Sequence, residues 1–378
     1  MFLKPLEAAL SDSEPPLIVE RPPLPRWHAA AFHTHGLPQL DGRIKASPED
    51  FVVEEVPAYQ PTGEGEHLYL WIEKRDVAAD RLVQHVAQAL KIRRDDIGSA
   101  GLKDRFAVTR QYLSVPATAL EAVPQIDCPG IKVLSATRHR NKLKTGHLRG
   151  NRFRITVRDL TATDSSLPIE EAIPLIENTI ARQGFPNYFG DQRFGNADQT
   201  LQLGLDLLTA RKAPRDIPFA KRKFLLRLAL SAVQSELFNR TVAERIQTET
   251  LGVVLPGDLL QVAASGGCFL TEDSTVDQPR YDSREVIPTG PLFGPSMKSP
   301  QAAALELEAR VRASFGLAES AFSQFANLTA GARRAMVCMP EALSLRWEPP
   351  SLIVDVTLPA GSYATMLLRE ILSATLST

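Results

Sequence analysis

Three cysteines in 378 residues, Cys128, Cys268 and Cys338, are too few and too widely spaced for a disulfide framework, and no Cys-x-x-Cys pair exists. Reduced thiols in a cytoplasmic protein are the expectation. Metal-binding signatures are missing as well. There is no His-Glu-x-x-His and no calcium loop, and the one near pair of histidines, His33 and His35, has no further ligand beside it. No metal is expected. Neither a Gly-x-x-x-x-Gly-Lys-Ser/Thr loop nor a Gly-x-Gly-x-x-Gly turn occurs, so no nucleotide-driven or redox cofactor is called for. No apolar run approaches the ~20 residues of a membrane span; the most apolar one, residues 225–233, is broken by Arg227. The first forty residues are rich in proline and carry four acids before residue 21, which does not read as a signal peptide but as an extended tail.

Excess charge is also lacking: the formal net is -1. On its face that speaks against a polyanionic partner, but the average conceals a strong asymmetry. Residues 128–158 hold nine Lys or Arg and no acid. Residues 211–227 hold seven basic residues against Asp216 alone. Residues 1–80 offset them, with seven basic and fourteen acidic residues. Alternate residues on a strand lie ~6.6 Å apart, close to the spacing of successive phosphates. Arg152 and Arg154, preceded by an acid-free loop carrying Arg140, Lys142 and Lys144, therefore read as a phosphate-tracking strip. Lys221, Arg222 and Lys223 form a second candidate for backbone contacts.

Periodicity predicts strands over 51–56, 67–74, 108–115, 151–160 and 352–358, each alternating or rich in β-branched residues. It predicts helices over 76–90 with Asp76 as N-cap, and over 169–183, 200–210, 223–245 and 302–313. Residues 254–263 read as a short strand element and 264–300 as loops. Residues 359–361 make a turn, with Ser362 capping a last helix. Strands, then helices, then a final strand suggest one domain inserted into another.

Asp104 stands in a glycine-flanked turn between Lys103 and Arg105. A carboxylate between two cations stays ionised and can act as nucleophile or base, although an aspartate in a turn more commonly bonds its own backbone. The surrounding residues decide between these. Ala100-Gly101-Leu102-Lys103-Asp104-Arg105, continued by Ala107-Val108-Thr109-Arg110-Gln111, resembles the signature of the TruD family of tRNA pseudouridine synthases. Five more segments resemble that family in order: Lys45 with Pro48-Glu49-Asp50-Phe51; Arg149-Gly150-Asn151 with Phe153; Pro186-Asn187-Tyr188-Phe189-Gly190 with Gln192-Arg193-Phe194-Gly195; Ser231-Ala232, Ser235 and Leu237-Phe238-Asn239; and Leu358-Pro359-Ala360-Gly361-Ser362-Tyr363-Ala364-Thr365.

The resemblance implies an isomerase that turns uridine into pseudouridine in tRNA, at position 13, with Asp104 as the catalytic carboxylate and no cofactor. It implies that Phe51 lies at the uridine, that Asn151 contacts it, and that Tyr363, where bacterial members commonly carry Phe, stacks on it. Lys45 or Lys103 would pair with Asp104. The implied fold is α+β: a mixed, mostly antiparallel sheet of the pseudouridine-synthase type from residues 40–176 and 336–378, a smaller inserted α/β domain at 177–335, and the tail at 1–39. A monomer is expected. Two other readings stay open at this point: a non-catalytic RNA-binding protein, and the same chemistry on a different RNA.

Overall fold

The computed structural model describes residues 34, 36–163, 167–195 and 198–372. The proline-rich tail up to residue 33, with His33, and likewise His35, lie outside the described residues.

Alternating apolar residues build the larger sheet. Its first strands are β1 (Leu40–Arg43), β2 (Phe51–Pro57), β3 (His67–Arg75), β4 (Gly98–Ser99), β5 (Val108–Pro116), β6 (Ile131–His139) and β7 (Leu148–Ala162). On β2, β3 and β7 the even or odd set turns inward as the pattern requires: Phe51 and Val53, Leu68, Leu70 and Ile72, and Phe153, Ile155 and Val157 are all buried. Helix α1 (Ala79–Leu90) packs Leu82, Val86 and Leu90 on the β3–β5 end of that face. It starts three residues later than the sequence suggests, with Ala78 rather than Asp76 at the N-cap. Asp76 has φ +49, which breaks any helix there, and its amide donates to Ala107 O.

Helix α2 (Ile169–Gln183) covers the other end. After it come β8 (Phe185–Pro186), α3 (Gln199–Leu208) and α4 (Phe219–Gln247), a 29-residue helix. A second, four-stranded sheet follows, in the order β10 (Cys268–Leu270), β9 (Leu259–Val262), β11 (Val286–Leu292), β12 (Ala332–Ala335). Within it lie α5 (Ser274–Asp282) and α6 (Ala302–Ser314). Residues 264–300, read as loops from composition, thus hold two strands and a helix. Asp273 starts α5 by accepting the Thr275 amide at 2.8 Å. Gly290 lets α4 lie on β11, since a Cβ there would meet the Phe238 ring at 2.9 Å.

The chain then returns to the larger sheet through β13 (Val337–Cys338, paired with β8), β14 (Glu341–Glu348) and β15 (Ser351–Pro359), and ends in α7 (Ala364–Ile371). The main strand order is β14-β15-β7-β2-β5-β3-β6, antiparallel except for the parallel β2–β5 pair. A boundary at residue 176/177 would cut α2 in its middle. That helix belongs with the larger sheet: Leu345 N donates to Glu177 Oε2 at 2.8 Å and Trp347 Nε1 to Glu170 Oε1 at 3.2 Å. Within the acid-free stretch 128–158, residues 131–139 form the edge strand β6, whose Lys132 and Arg138 are the kind of charge that discourages edge-to-edge pairing. The last helix is not capped by Ser362. Tyr363 takes the N-cap position, and the Ser362 hydroxyl receives the Cys338 thiol at 3.2 Å.

Candidate active site

Residues 100–107 lie over the inward face of the larger sheet, where Lys74 meets the Asp104 carbonyl and Asp76 N donates to Ala107 O. Gly98 fixes the approach: a Cβ there would fall 2.2 Å from Leu143 O and 2.5 Å from Ser114 Oγ. With nothing in the way, the 140–147 loop docks on β4, and Gly146 N donates to Ala100 O at 2.9 Å. The basic loop is thereby seated beside the glycine-rich turn.

Three lysines hold the turn, each in a different way. Lys103 Nζ donates to Glu55 Oε2 at 2.9 Å, both side chains being buried. It therefore does not pair with Asp104. Lys45 does: its Nζ is 3.8 Å from Asp104 Oδ1. Lys45 reaches there from a left-handed backbone, φ +55, with its ammonium 4.3 Å from the centroid of the Phe51 ring. Lys74, fully buried, donates from Nζ to the main-chain carbonyl of Asp104 at 2.5 Å. Burial pushes the Lys74 ammonium down to about 8; the neighbouring Lys103 adds to the depression, and Asp104 and Asp76 oppose it. The Asp104 carboxylate itself stays 44% exposed, which leaves it open to a ligand. Leu102 and Phe106 beside it are exposed too.

Under the turn the sheet carries polar groups where a core would carry apolar ones. Lys74 stands opposite Thr109, and Thr109 opposite Val53. One step along, Ile72 stands opposite Gln111, and Glu55 opposite Asn151. Thr109 Oγ1, Gln111 Oε1 and Asn151 Oδ1 are buried and have no hydrogen-bond partner among the described residues. Unpaired buried acceptors are costly, and they concentrate where a ligand supplies the partner.

Phe51 is 2% exposed, packed edge-on to Phe153 with centroids 6.0 Å apart and roofed by Lys45. It forms part of the floor rather than an open stacking ring. Tyr363 is an open aromatic, 37% exposed, with Phe189 behind it at 6.4 Å. The turn carrying it follows Leu358, which pairs with Asn151, and Ala360 N donates to Arg149 O at 3.0 Å. Arg334 ties this turn to the Pro186–Gly190 segment: Nη2 donates to Gly361 O at 2.9 Å and to Asn187 Oδ1 at 2.7 Å, and the guanidinium lies 4.1 Å from the Phe189 centroid. Burial lowers the Arg334 pKa to about 10.

The expected phosphate strip falls elsewhere. Arg152 and Arg154 project from the face of β7 opposite to Asn151 and Phe153. There they join a carboxylate ladder, Arg152 with Glu54 at 3.2 Å and Arg154 with Asp355 at 2.8 Å. Strand alternation puts them on the reverse side from Asp104. Arg140 is paired with Glu64, and Lys142 donates to Asp95 O. Lys144 is exposed on the docked loop. Lys221 and Lys223 are exposed at the start of α4, and Arg222 is folded back on Ile217 O at 3.1 Å.

Lys74, Glu55 and Arg334 escaped the sequence reading. For the first two the signal was there: Lys74 continues the inward set Leu68, Leu70 and Ile72, and Glu55 continues Phe51 and Val53. A charged residue in phase with a buried face needs a partner. Arg334 carries no such mark.

Comparison with known proteins gives a consistent result. The profile of the family described as tRNA pseudouridine synthase D (TruD) matches residues 29–213 and 211–371. A protein of Anaeromyxobacter dehalogenans named tRNA pseudouridine synthase D is 40% identical over 340 residues, covering 90% of this chain and 95% of that one. One of the same name from Geobacter metallireducens is 36% identical over 399 residues, covering 90% and 97%. The crystal structure of a Methanosarcina mazei protein, described as a candidate tRNA pseudouridine synthase D, superposes with a TM-score of 0.73 at 22% identity, covering 92% of this chain and 97% of that one. At that identity it establishes the fold: mixed α+β with a mostly antiparallel sheet.

Proposed function

This chain belongs to the tRNA pseudouridine synthase D (TruD) family, and we propose that it isomerises uridine to pseudouridine in tRNA, at position 13. The observation that carries the reading is the setting of Asp104: an open carboxylate with one ammonium 3.8 Å away and its backbone pinned from below by a buried lysine. The reaction breaks the N1–C1′ bond, turns the base and joins C5 to C1′, with C5 losing a proton and N1 taking one up. It needs a carboxylate at the sugar or base and no net oxidation, which a lone fixed aspartate supplies.

A uridine must leave its stack to reach Asp104. Tyr363 offers the open ring for it. Asn151 Oδ1, buried and without a partner among the described residues, is an acceptor suited to the uracil N3–H. Lys45 orients the carboxylate from 3.8 Å; Lys74 and Lys103 set the height and register of the turn. We take residues 40–183 and 336–372 as the catalytic body and 184–335 as the insert. The chain works as a monomer in the cytoplasm, where tRNA is. No helix among the described residues is long and apolar enough to cross a membrane.

Asp104→Asn tests this. Tight RNA binding should survive while pseudouridine formation disappears. Carbodiimide mapping of tRNA from a strain lacking the gene should show one pseudouridine missing, at position 13. Full turnover by Asp104→Asn, or an unaltered tRNA map, would overturn the proposal.

A further inference from the structure

At the far end of α4, two phenylalanines stand out of the protein among cations. Phe219 is 85% exposed and Phe224 is 67% exposed. Folding on its own gives no reason to leave two such rings in water. At about 100° per residue, Phe219, Lys223, Arg227 and Phe224 fall on one arc of ~140°. Lys221 on the same helix and Arg215, whose carbonyl accepts from Arg222 at 3.3 Å, lie nearby and are exposed, as is Arg211. Among the described residues none of Arg211, Arg215, Lys221, Lys223 and Arg227 is in an ion pair; of the nearby acids, Asp206 pairs with Lys212 at 3.5 Å and Asp216 accepts the Ala213 amide at 2.8 Å. On the reverse face of the larger sheet, by contrast, Arg152 is paired with Glu54 and Arg154 with Asp355.

Unpaired cations interleaved with open rings suit one kind of partner: a polyanion that also presents flat apolar faces. An acidic protein would meet the charge but not the rings, and a second copy of this chain would set like charges together. We infer that this end of α4 is a second RNA-contacting surface, where Phe219 and Phe224 stack on unpaired bases of the tRNA while Lys221, Lys223 and Arg227 hold the adjoining phosphates. The inference rests on the tRNA reading above. The helix also gives the reach. Its middle is anchored near Tyr363, with Arg193 Nε on Ser235 Oγ at 3.2 Å and Asn239 bonded to the Phe189 backbone. Phe224 and Phe219 lie 11 and 16 residues before Ser235, or about 16 and 24 Å along the axis. The contact would therefore fall on a part of the tRNA well away from the modified uridine.

Binding of an unmodified tRNA transcript to the Asp104→Asn protein, with and without Phe219→Ala/Phe224→Ala, tests this without any dependence on turnover. The Phe pair should raise Kd at least tenfold with the salt slope unchanged, and Phe219→Trp/Phe224→Trp should restore affinity. Lys221→Ala/Lys223→Ala should flatten the slope of log Kd against log salt by about 1.5. An unchanged Kd in the Phe→Ala pair would overturn the inference. So would loss of a dimer in sedimentation at constant RNA affinity, which would mark a self-association surface. If Phe-dependent binding holds but the wild type forms no pseudouridine, the functional reading fails and this surface stands.

Discussion

Lys74 Nζ lies 2.5 Å from the carbonyl oxygen of Asp104, with the Lys74 side chain fully buried beneath the exposed aspartate. A side chain that burial has driven down to about 8 thus grips the backbone of the very residue whose carboxylate must face outward. The bond determines how high the turn rides above the sheet.

Lys74→Met should therefore lower kcat by roughly ten- to hundredfold, since losing a buried donor costs ~1–3 kcal/mol, with little change in tRNA affinity. The pH profile gives the sign. The ammonium carries the contact below about 8, so wild-type turnover should decline as pH rises through that value. The limb should be missing from the residual activity of the variant. A profile with the same limb in both proteins would assign it to another group.

The Lys103–Glu55 pair is buried on both sides. Removing one partner leaves a charge without compensation, at a cost of ~3–5 kcal/mol. Lys103→Met should show this in denaturant melts, and Lys103→Met/Glu55→Gln should recover most of it. Equal stabilities of the single and double variants would refute the coupling.

Salt dependence separates the two faces of the sheet. Arg154→Ala, on the reverse side and paired with Asp355, should leave the salt slope of tRNA binding as it is and shift stability by no more than ~1 kcal/mol. Lys144→Ala, on the loop seated against the Asp104 turn, should flatten the slope by about 0.7–0.9.

Glu236 is buried on α4 with only Arg240 at 3.8 Å to offset the loss of solvent, which drives its pKa from 4.5 to about 8. Between those values the folded chain holds a proton that the unfolded chain releases, so stability falls as pH rises through the window. Melting temperature should drop between pH 5 and 8 in the wild type. Glu236→Gln should drop less; parallel curves would contradict the assignment.

Alternation on 51–56 and 151–160 made the strands and their inward sets readable, and the ordered motifs made the Asp104 turn readable. Chain pairing was not. Arg152 and Arg154 read as a strip of positive charge because Glu54 and Asp355, which neutralise them, come from strands about one hundred and two hundred residues away. For the same reason Lys103 looked like a partner of Asp104 when Glu55 takes it. Residues 264–300 hid regular structure because prolines and glycines mark loops in isolation, whereas β11 draws its order from β9 and β12.

The place of β15 has a consequence for biosynthesis. It lies between β14 and β7, with Val356 opposite Phe153, so the ribosome must add about two hundred residues before β7 gains that neighbour. At ~5–20 residues per second the nascent chain carries an open, apolar-sided β7 edge for roughly ten to forty seconds. Tyr363, supplied by the same late segment, arrives with it. A chain still being translated would hold the Asp104 turn without Tyr363, so the site is complete only once the last segment has been made.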